Sequence, residues 1–543
     1  MEVSPQTPER PYPPIGGRTA FDSVRLPVQA LVILAALMAI VFPAYMMLCG
    51  RERLVSYLSD DAYYYFNVAA QIAAGNGPTA DGVTTTTGFH PLYCFALAGI
   101  HGLTHPSLDG FIQEAIVFNA LTFLAAGAFL YLAARTWWGR PAGIAVLLFW
   151  LTNPHSNLIS TAGLEGSVYS MTLALLLWRI VVFMRRFGDA AGAGSCLAHA
   201  VGLGLCGGLV LLSRTDSLVI LPLVAILLVL ASPGVRWPVR FIAAAVFAIL
   251  SVALLGLWWG YSWAYTGRIA QGSAVIKTLW HESKVGSDTL AAGALFTAFV
   301  WCKYSYKAFF KAVPLKWTLS ALPGLSHSGK GAVLANKALL HLLWIFPLGL
   351  GLAYALFIDR PRTWYYVPAL TGLLLISAGA SQRLLTETPT NRLWRLAVRF
   401  APLMAWLIVV ESTAIFARDV FHGRSPEQVR TVAFARELAE EVPPGTRIGC
   451  WHSGIVQYYT PELTVINLDG LANNEIVPVL QGEKSMNEYW DERNITLILG
   501  EPRTKMGGYA YEWGDRKLEY VREGVQRIVH VSEAENAEAR ESP

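Results

Sequence analysis

Apolar stretches of nearly bilayer-spanning length recur along the chain, at 28–49, 112–134, 141–153, 166–184, 198–212, 216–231, 239–259, 288–302, 338–358, 364–381 and 400–417. A helix needs about 20 apolar residues to cross a hydrocarbon core, so the recurrence predicts a mainly α, polytopic membrane protein of about eleven spans. Composition agrees: 15% of the 543 residues are charged and 54% hydrophobic, whereas a soluble domain carries about a quarter charged residues. The first run, Val28–Cys49, lacks a small-residue cleavage site and reads as a signal anchor behind a short tail, 1–27. Of the six cysteines, Cys206 and Cys302 sit in apolar runs and only Cys450 lies in the C-terminal region, so no disulfide framework is visible.

Orientation follows from where Lys and Arg lie. With Arg10, Arg18 and Arg25 cytoplasmic, alternate loops carry Arg135 and Arg140, then Arg185 and Arg186, then Arg236 and Arg240. The series continues with six lysines between Lys303 and Lys337 and with Arg383, Arg392, Arg395 and Arg399. The opposite loops are poorer, and Asn153–Glu165 has neither residue type. This parity requires Pro91–His101 not to cross, as its shortness also suggests. It places the chain after Arg418 outside.

That tail, 418–531, changes composition and reads as a small extracytoplasmic α/β domain. The expected order is a helix over Glu427–Glu441, a Pro-Pro-Gly turn, and strands at Thr446–Cys450, Leu463–Leu468 and Ile495–Leu499. The Glu-rich end, 532–543, is expected to be disordered.

Candidate chemistry lies in the outer loops of the 28–417 region. In the first loop, 50–111, Asp60 and Asp61 open a helix-like stretch, Ala62–Ala73, and His90 precedes Pro91. Acids at a helix start often serve only as caps favoured by the dipole. Two adjacent carboxylates exceed that need, and one buried at a membrane surface can act as a base. Glu165 enters the next span within its first turn, and an acid at membrane depth marks a functional site by default. Arg214 and Asp216, two residues apart, can pair with each other at the interface. Arg268 and Lys277 suit headgroup contacts or a bound phosphate. The small net charge, +4, gives no reason to expect a nucleic-acid partner.

The first loop resembles the signature of the bacterial C-type (GT-C) glycosyltransferases. The resemblance rests on Asp60-Asp61-Ala62-Tyr63, Gly75-Asn76-Gly77, Gly88-Phe89-His90-Pro91-Leu92, Gly163-Leu164-Glu165 and Ser213-Arg214-Thr215-Asp216. The tail stretch from Gly454 to Asn467-Leu468-Asp469-Gly470-Leu471 resembles bacterial members of the same group. Mannosyl-, aminoarabinose and arabinofuranosyltransferases are relatives within that superfamily. The resemblance implies a bacterial inner-membrane enzyme with a polyprenyl-phosphate sugar donor. Its acceptor would be an envelope glycan, lipid or protein, and its reaction an inverting displacement. It aligns Asp60, the first acid of the pair, with the catalytic base, and Asp61 stands as the alternative. His90, Glu165, Arg214, Asp216, Arg268 and Lys277 become substrate-binding candidates. The acids here are contiguous, unlike the Asp-x-Asp of oligosaccharyltransferases. No cofactor is assigned on this pattern, and a divalent metal is left open. The alternative reading is a transporter or flippase of lipid-linked sugars, with Glu165, Asp216 and Glu411 as coupling sites. Against it, the sequence has no inverted repeat or paired broken helices.

Overall fold

The structure, a computed structural model, describes residues 40–41, 44–187, 192–230, 235–285, 330–357, 363–386, 425–499, 516–522 and 525–530, with single positions 414, 418, 422 and 423. Most of the 28–49 stretch, the stretches at 288–302 and 400–417, and Glu411 lie outside the described residues.

The first loop forms two short helices, α1 (Asp60–Ala73) and α2 (Pro91–Thr104). Pro91 starts α2 where its missing N–H is no loss. The 14 residues of α2 span about 21 Å at 1.5 Å each, short of a hydrocarbon core about 30 Å thick. The apolar stretch at Pro91–His101 is therefore a short helix.

Helices α3 (Leu108–Trp138), α4 (Arg140–Thr152), α5 (Gly166–Phe187), α6 (Ala193–Ser213), α7 (Ile220–Leu230) and α8 (Trp237–Thr266) follow. Then come α9 (Gly272–Val285), α10 (Lys330–Phe357) and α11 (Val367–Thr386). Among the described residues four helices, α3, α5, α6 and α8, are long and apolar enough to cross a membrane. Shorter apolar segments lie in α2, α4, α10 and α11 and across Thr215–Leu230. The chain is a multi-pass membrane protein. Helix α6 lies flat on α8 because Gly204, Gly207 and Gly208 present no side chain there; a methyl group added at any of them would strike Leu250, Ser251 or Leu254. Such small-residue contacts are how helices associate where lipid removes the hydrophobic drive.

The C-terminal region forms the expected helix, α12 (Pro426–Glu441), and a five-stranded sheet. Strands β1 (Arg447–Cys450), β2 (Thr464–Asn467) and β3 (Leu497–Leu499) lie where the sequence put them. Two further strands, β4 (Arg516–Arg522) and β5 (Val525–His530), were not foreseen, nor were α13 (Gly454–Tyr459) and α14 (Met486–Arg493). The order is β2-β1-β3-β5-β4. β1 pairs parallel with β2 and β3, and β5 pairs antiparallel with β3 and β4.

Candidate active site

A half-open cavity, about 560 Å³ when the solvent in its mouth is counted, lies where the first loop, the bundle and the tail meet. The bundle residues around it all come from the same end: Glu165 before α5, Gln271 between α8 and α9, Lys277 in α9 and Tyr365 before α11. The first loop adds Asp61, Tyr64, Tyr65 and His90, and the tail adds Leu471 and Ala472.

The two acids at the start of α1 face different ways. Asp61 lines the cavity, and its carboxylate accepts no hydrogen bond from any described residue. Asp60 turns toward the tail, where Oδ1 accepts the backbone N–H of Ile455 at 2.9 Å. Its Oδ2 is buried with no hydrogen-bond partner among the described residues. Burial raises the Asp60 pKa to about 7, with Asp61 and Asp469 adding to the rise and the Ile455 N–H opposing it. Neither acid acts as the cap residue: Ser59 holds that position, and its side chain makes no capping bond.

Glu165 is reached through a tight turn. Gly163 has φ +70, and a Cβ there would lie 2.9 Å from Leu58 and 3.0 Å from Ala62, so only glycine fits without displacement. The Glu165 carboxylate is nearly fully buried, at 3% exposure of its side chain. Oε1 accepts Nη1 of Arg214 at 2.7 Å and Oε2 accepts the Tyr65 hydroxyl at 3.0 Å. Arg214 also donates to Asp216 through Nε at 3.1 Å and Nη2 at 2.5 Å. Tyr354 donates to Asp216 at 2.7 Å. The Arg214 guanidinium lies 4.4 Å from the centre of the Tyr365 ring. The sequence paired Arg214 with Asp216 alone. The fold adds Glu165, 49 positions away, and two tyrosines in apolar surroundings that carry no sequence signal. Arg214 and Asp216 form the floor beneath the cavity and do not line it.

His90 lines the cavity with Nε2 3.6 Å from Glu165 Oε1. Its Nδ1 is buried and has no hydrogen-bond partner among the described residues. Burial lowers its pKa to about 4, so the ring is neutral at physiological pH. Lys277 lines the cavity and donates to the Tyr365 hydroxyl at 2.7 Å. Arg268 is not among the cavity residues. Among the described residues no group of three or more His, Cys, Asp or Glu side chains is placed to hold a metal ion.

The tail docks on the first loop through buried polar bonds. Tyr64 donates to Asp469 at 3.2 Å, Asn67 to the Gly454 carbonyl at 3.0 Å, and Asn474 to Thr87 Oγ1 at 2.8 Å. Rings of Tyr63 and Phe66 in α1 pack against Tyr458 in α13.

Residues 421–535 match a family described as a domain of unknown function, DUF8728. No curated protein matches the chain. Among solved structures, ArnT from Cupriavidus metallidurans bound to undecaprenyl phosphate superposes with a TM-score of 0.56, 13% identity, and coverage of 95% of this chain and 99% of that one. The archaeal oligosaccharyltransferase AglB from Archaeoglobus fulgidus, in complex with an inhibitory peptide and a dolichol-phosphate, superposes with a TM-score of 0.55, 13% identity, and coverage of 95% and 75%. At these identities the likeness is one of fold. The chain has the GT-C fold, the fold of the superfamily that its first loop resembles.

Proposed function

We propose that the chain is a membrane glycosyltransferase that moves a sugar from a polyprenyl-phosphate donor to a hydroxyl of an envelope glycan, lipid or protein on the extracytoplasmic face. The observation that carries the reading is the convergence of an unpaired carboxylate, Asp61, and a cation, Lys277, on one cavity at the end of an apolar bundle. Two proteins that share the fold were solved with undecaprenyl phosphate and with a dolichol-phosphate.

In this scheme the acceptor oxygen attacks the anomeric carbon as the bond from that carbon to the phosphate oxygen breaks. The lipid phosphate leaves with the electron pair, and the acceptor proton passes to Asp61. The displacement inverts the anomeric centre. A phosphate leaving group needs positive charge and no proton donor, and Lys277 supplies it as a mobile point charge. Neutral His90 offers hydrogen bonds to sugar hydroxyls, and the Glu165 carboxylate lines the cavity beside it. The geometry favours Asp61 over Asp60 as base, because Asp60 is engaged with the tail. Arg214 and Asp216 hold Glu165 in place.

The test is release of polyprenyl phosphate from purified polyprenyl-phosphate sugars by the full chain in detergent, with envelope extract as acceptor source. Release that requires both extract and Asp61 is expected. No release from any donor of a pentose and hexose panel would sink the reading. Mass spectrometry of envelope glycans with and without the gene then identifies the product.

A further inference from the structure

The tail presents to the cavity the edge of its sheet at which open α/β sheets hold ligands, the carboxyl ends of parallel strands. The loop after β1 carries His452, at a left-handed φ of 56. The loop after β2 runs from Leu468 through Asp469 and Gly470 to Ala472, and its Leu471 and Ala472 line the cavity. That loop cannot be withdrawn without breaking buried bonds. Asp469 is fully buried and accepts from Tyr64 and from the His452 and Leu471 backbone N–H groups. Gly88 of the first loop sits against the Leu471 carbonyl so closely that no Cβ could stand there.

The tail also holds α9. Ile276 is fully buried in an apolar cluster with Ile466, Leu468 and Ile476 of the tail, while its neighbour Lys277 bonds Tyr365 on the bundle side. Gly470, at φ +86, lies against Ile276, where a Cβ would come within 2.6 Å of the isoleucine side chain. Helix α9 is thus sandwiched, with its cation toward the bundle and its apolar face in the tail.

We propose that the tail is the acceptor-side half of the cavity: the turn at 470–472 walls the space that a water-borne, hydroxyl-bearing acceptor enters, and the same domain clamps the helix that carries Lys277. The word acceptor rests on the glycosyltransferase reading; the wall does not. A donor held in the bilayer approaches from the bundle and its Lys277, which leaves the tail side to the partner that arrives through water. The mixed lining suits a sugar, which offers C–H faces to Leu471, Ala472 and Phe89 and hydroxyls to Asp61, His90 and Gln271.

The experiment uses the full chain in detergent with Ser273→Cys as a reporter in the cavity lining, followed by peptide-resolved mass spectrometry. Leu471→Trp should slow alkylation of the reporter by N-ethylmaleimide about ten-fold, equal to about 1.4 kcal/mol of added barrier. Ala472→Val is a milder second variant that should act in the same direction. Titrated undecaprenyl phosphate should bind both variants as it binds the parent. Unchanged alkylation in both variants would overturn the wall. Loss of undecaprenyl phosphate binding in Leu471→Trp would place the turn on the donor side and overturn the assignment. Failure of the parent itself to bind undecaprenyl phosphate would count against the glycosyltransferase reading, while the alkylation arm would still decide the wall.

Discussion

Two groups of charge meet at Glu165, and their hydrogen-bonding capacity is used in opposite ways. Below the cavity, Arg214 is engaged by Glu165 and Asp216 and stacked on Tyr365, and Asp216 also takes the Tyr354 hydroxyl. On the cavity wall, Asp61 accepts nothing from the described residues, and Lys277 gives one of its three N–H groups to Tyr365. A saturated group has little left to offer a ligand, and an unsatisfied one facing open volume does. By sequence both groups looked like site motifs. The structure divides them into a floor and a reactive wall.

The comparison breaks most sharply at Asp61. Asp61→Asn should lower sugar transfer by about 10²–10⁴-fold, the usual worth of a general base, with unchanged thermal unfolding of the detergent-solubilised protein. Wild-type turnover would move the base to Asp60. The floor should respond in the opposite sense. Arg214→Ala leaves Glu165 as an uncompensated buried charge, a cost of about 3–5 kcal/mol, visible as early unfolding and loss of the monodisperse peak before any kinetic effect is read. A stable, folded Arg214→Ala protein that fails only in donor use would make Arg214 a phosphate ligand.

Lys277 comes next. Removing one charge-assisted bond to a charged ligand costs about 1.5–3 kcal/mol, so Lys277→Ala should weaken donor use roughly ten- to over a hundred-fold. Lys277→Arg should recover part of the loss, since a planar fork cannot reproduce a point charge. The measurement is transfer against donor concentration. Equal activity of Lys277→Ala and wild type would remove the main physical support for a lipid-phosphate leaving group.

Much of this was legible in the sequence because it is local. Helix α1 begins at Asp60, and the short α2 follows from Pro91 and the count of apolar residues. Strands β1 to β3 fall on alternating or short apolar runs. What was hidden depends on distance along the chain. Nothing near Arg214 announces Glu165, and Tyr65, Tyr354 and Tyr365 read as ordinary members of aromatic or apolar runs until the fold turns their hydroxyls inward. The different directions of Asp60 and Asp61 could not be read from their adjacency. Adjacent helix positions point about 100° apart, and which direction meets the cavity depends on where the tail docks. Leu471 carried a family-like motif but no chemistry of its own, so its place in the cavity wall needed the structure.

Asp60 supplies the smallest and most diagnostic effect. Its carboxyl lies in the contact between α1 and α13, with a pKa raised from 3.8 to about 7, chiefly by burial. A docked state that holds a proton more tightly than the undocked one is favoured most at low pH. Its stabilisation is full below about 3.8, declines as pH rises, and is lost once pH passes about 7. Seating of the tail should therefore loosen from acid to neutral pH, by at most about ten-fold in opening equilibrium per pH unit, the limit for one proton. The Ile455 amide, which donates to Asp60, reports this directly. Its hydrogen-exchange protection in the full chain, corrected for intrinsic base catalysis, should fall between pH 5 and pH 8. Asp60→Asn keeps a carbonyl oxygen for the Ile455 N–H and removes the titration, so its protection should be flat across the same range. Asp61→Asn should leave the downward slope in place, because Asp61 faces the cavity and not the tail. A flat profile in the wild type, or a slope retained in Asp60→Asn, would mean that Asp60 does not govern docking, and the division of labour between the two acids would have to be redrawn.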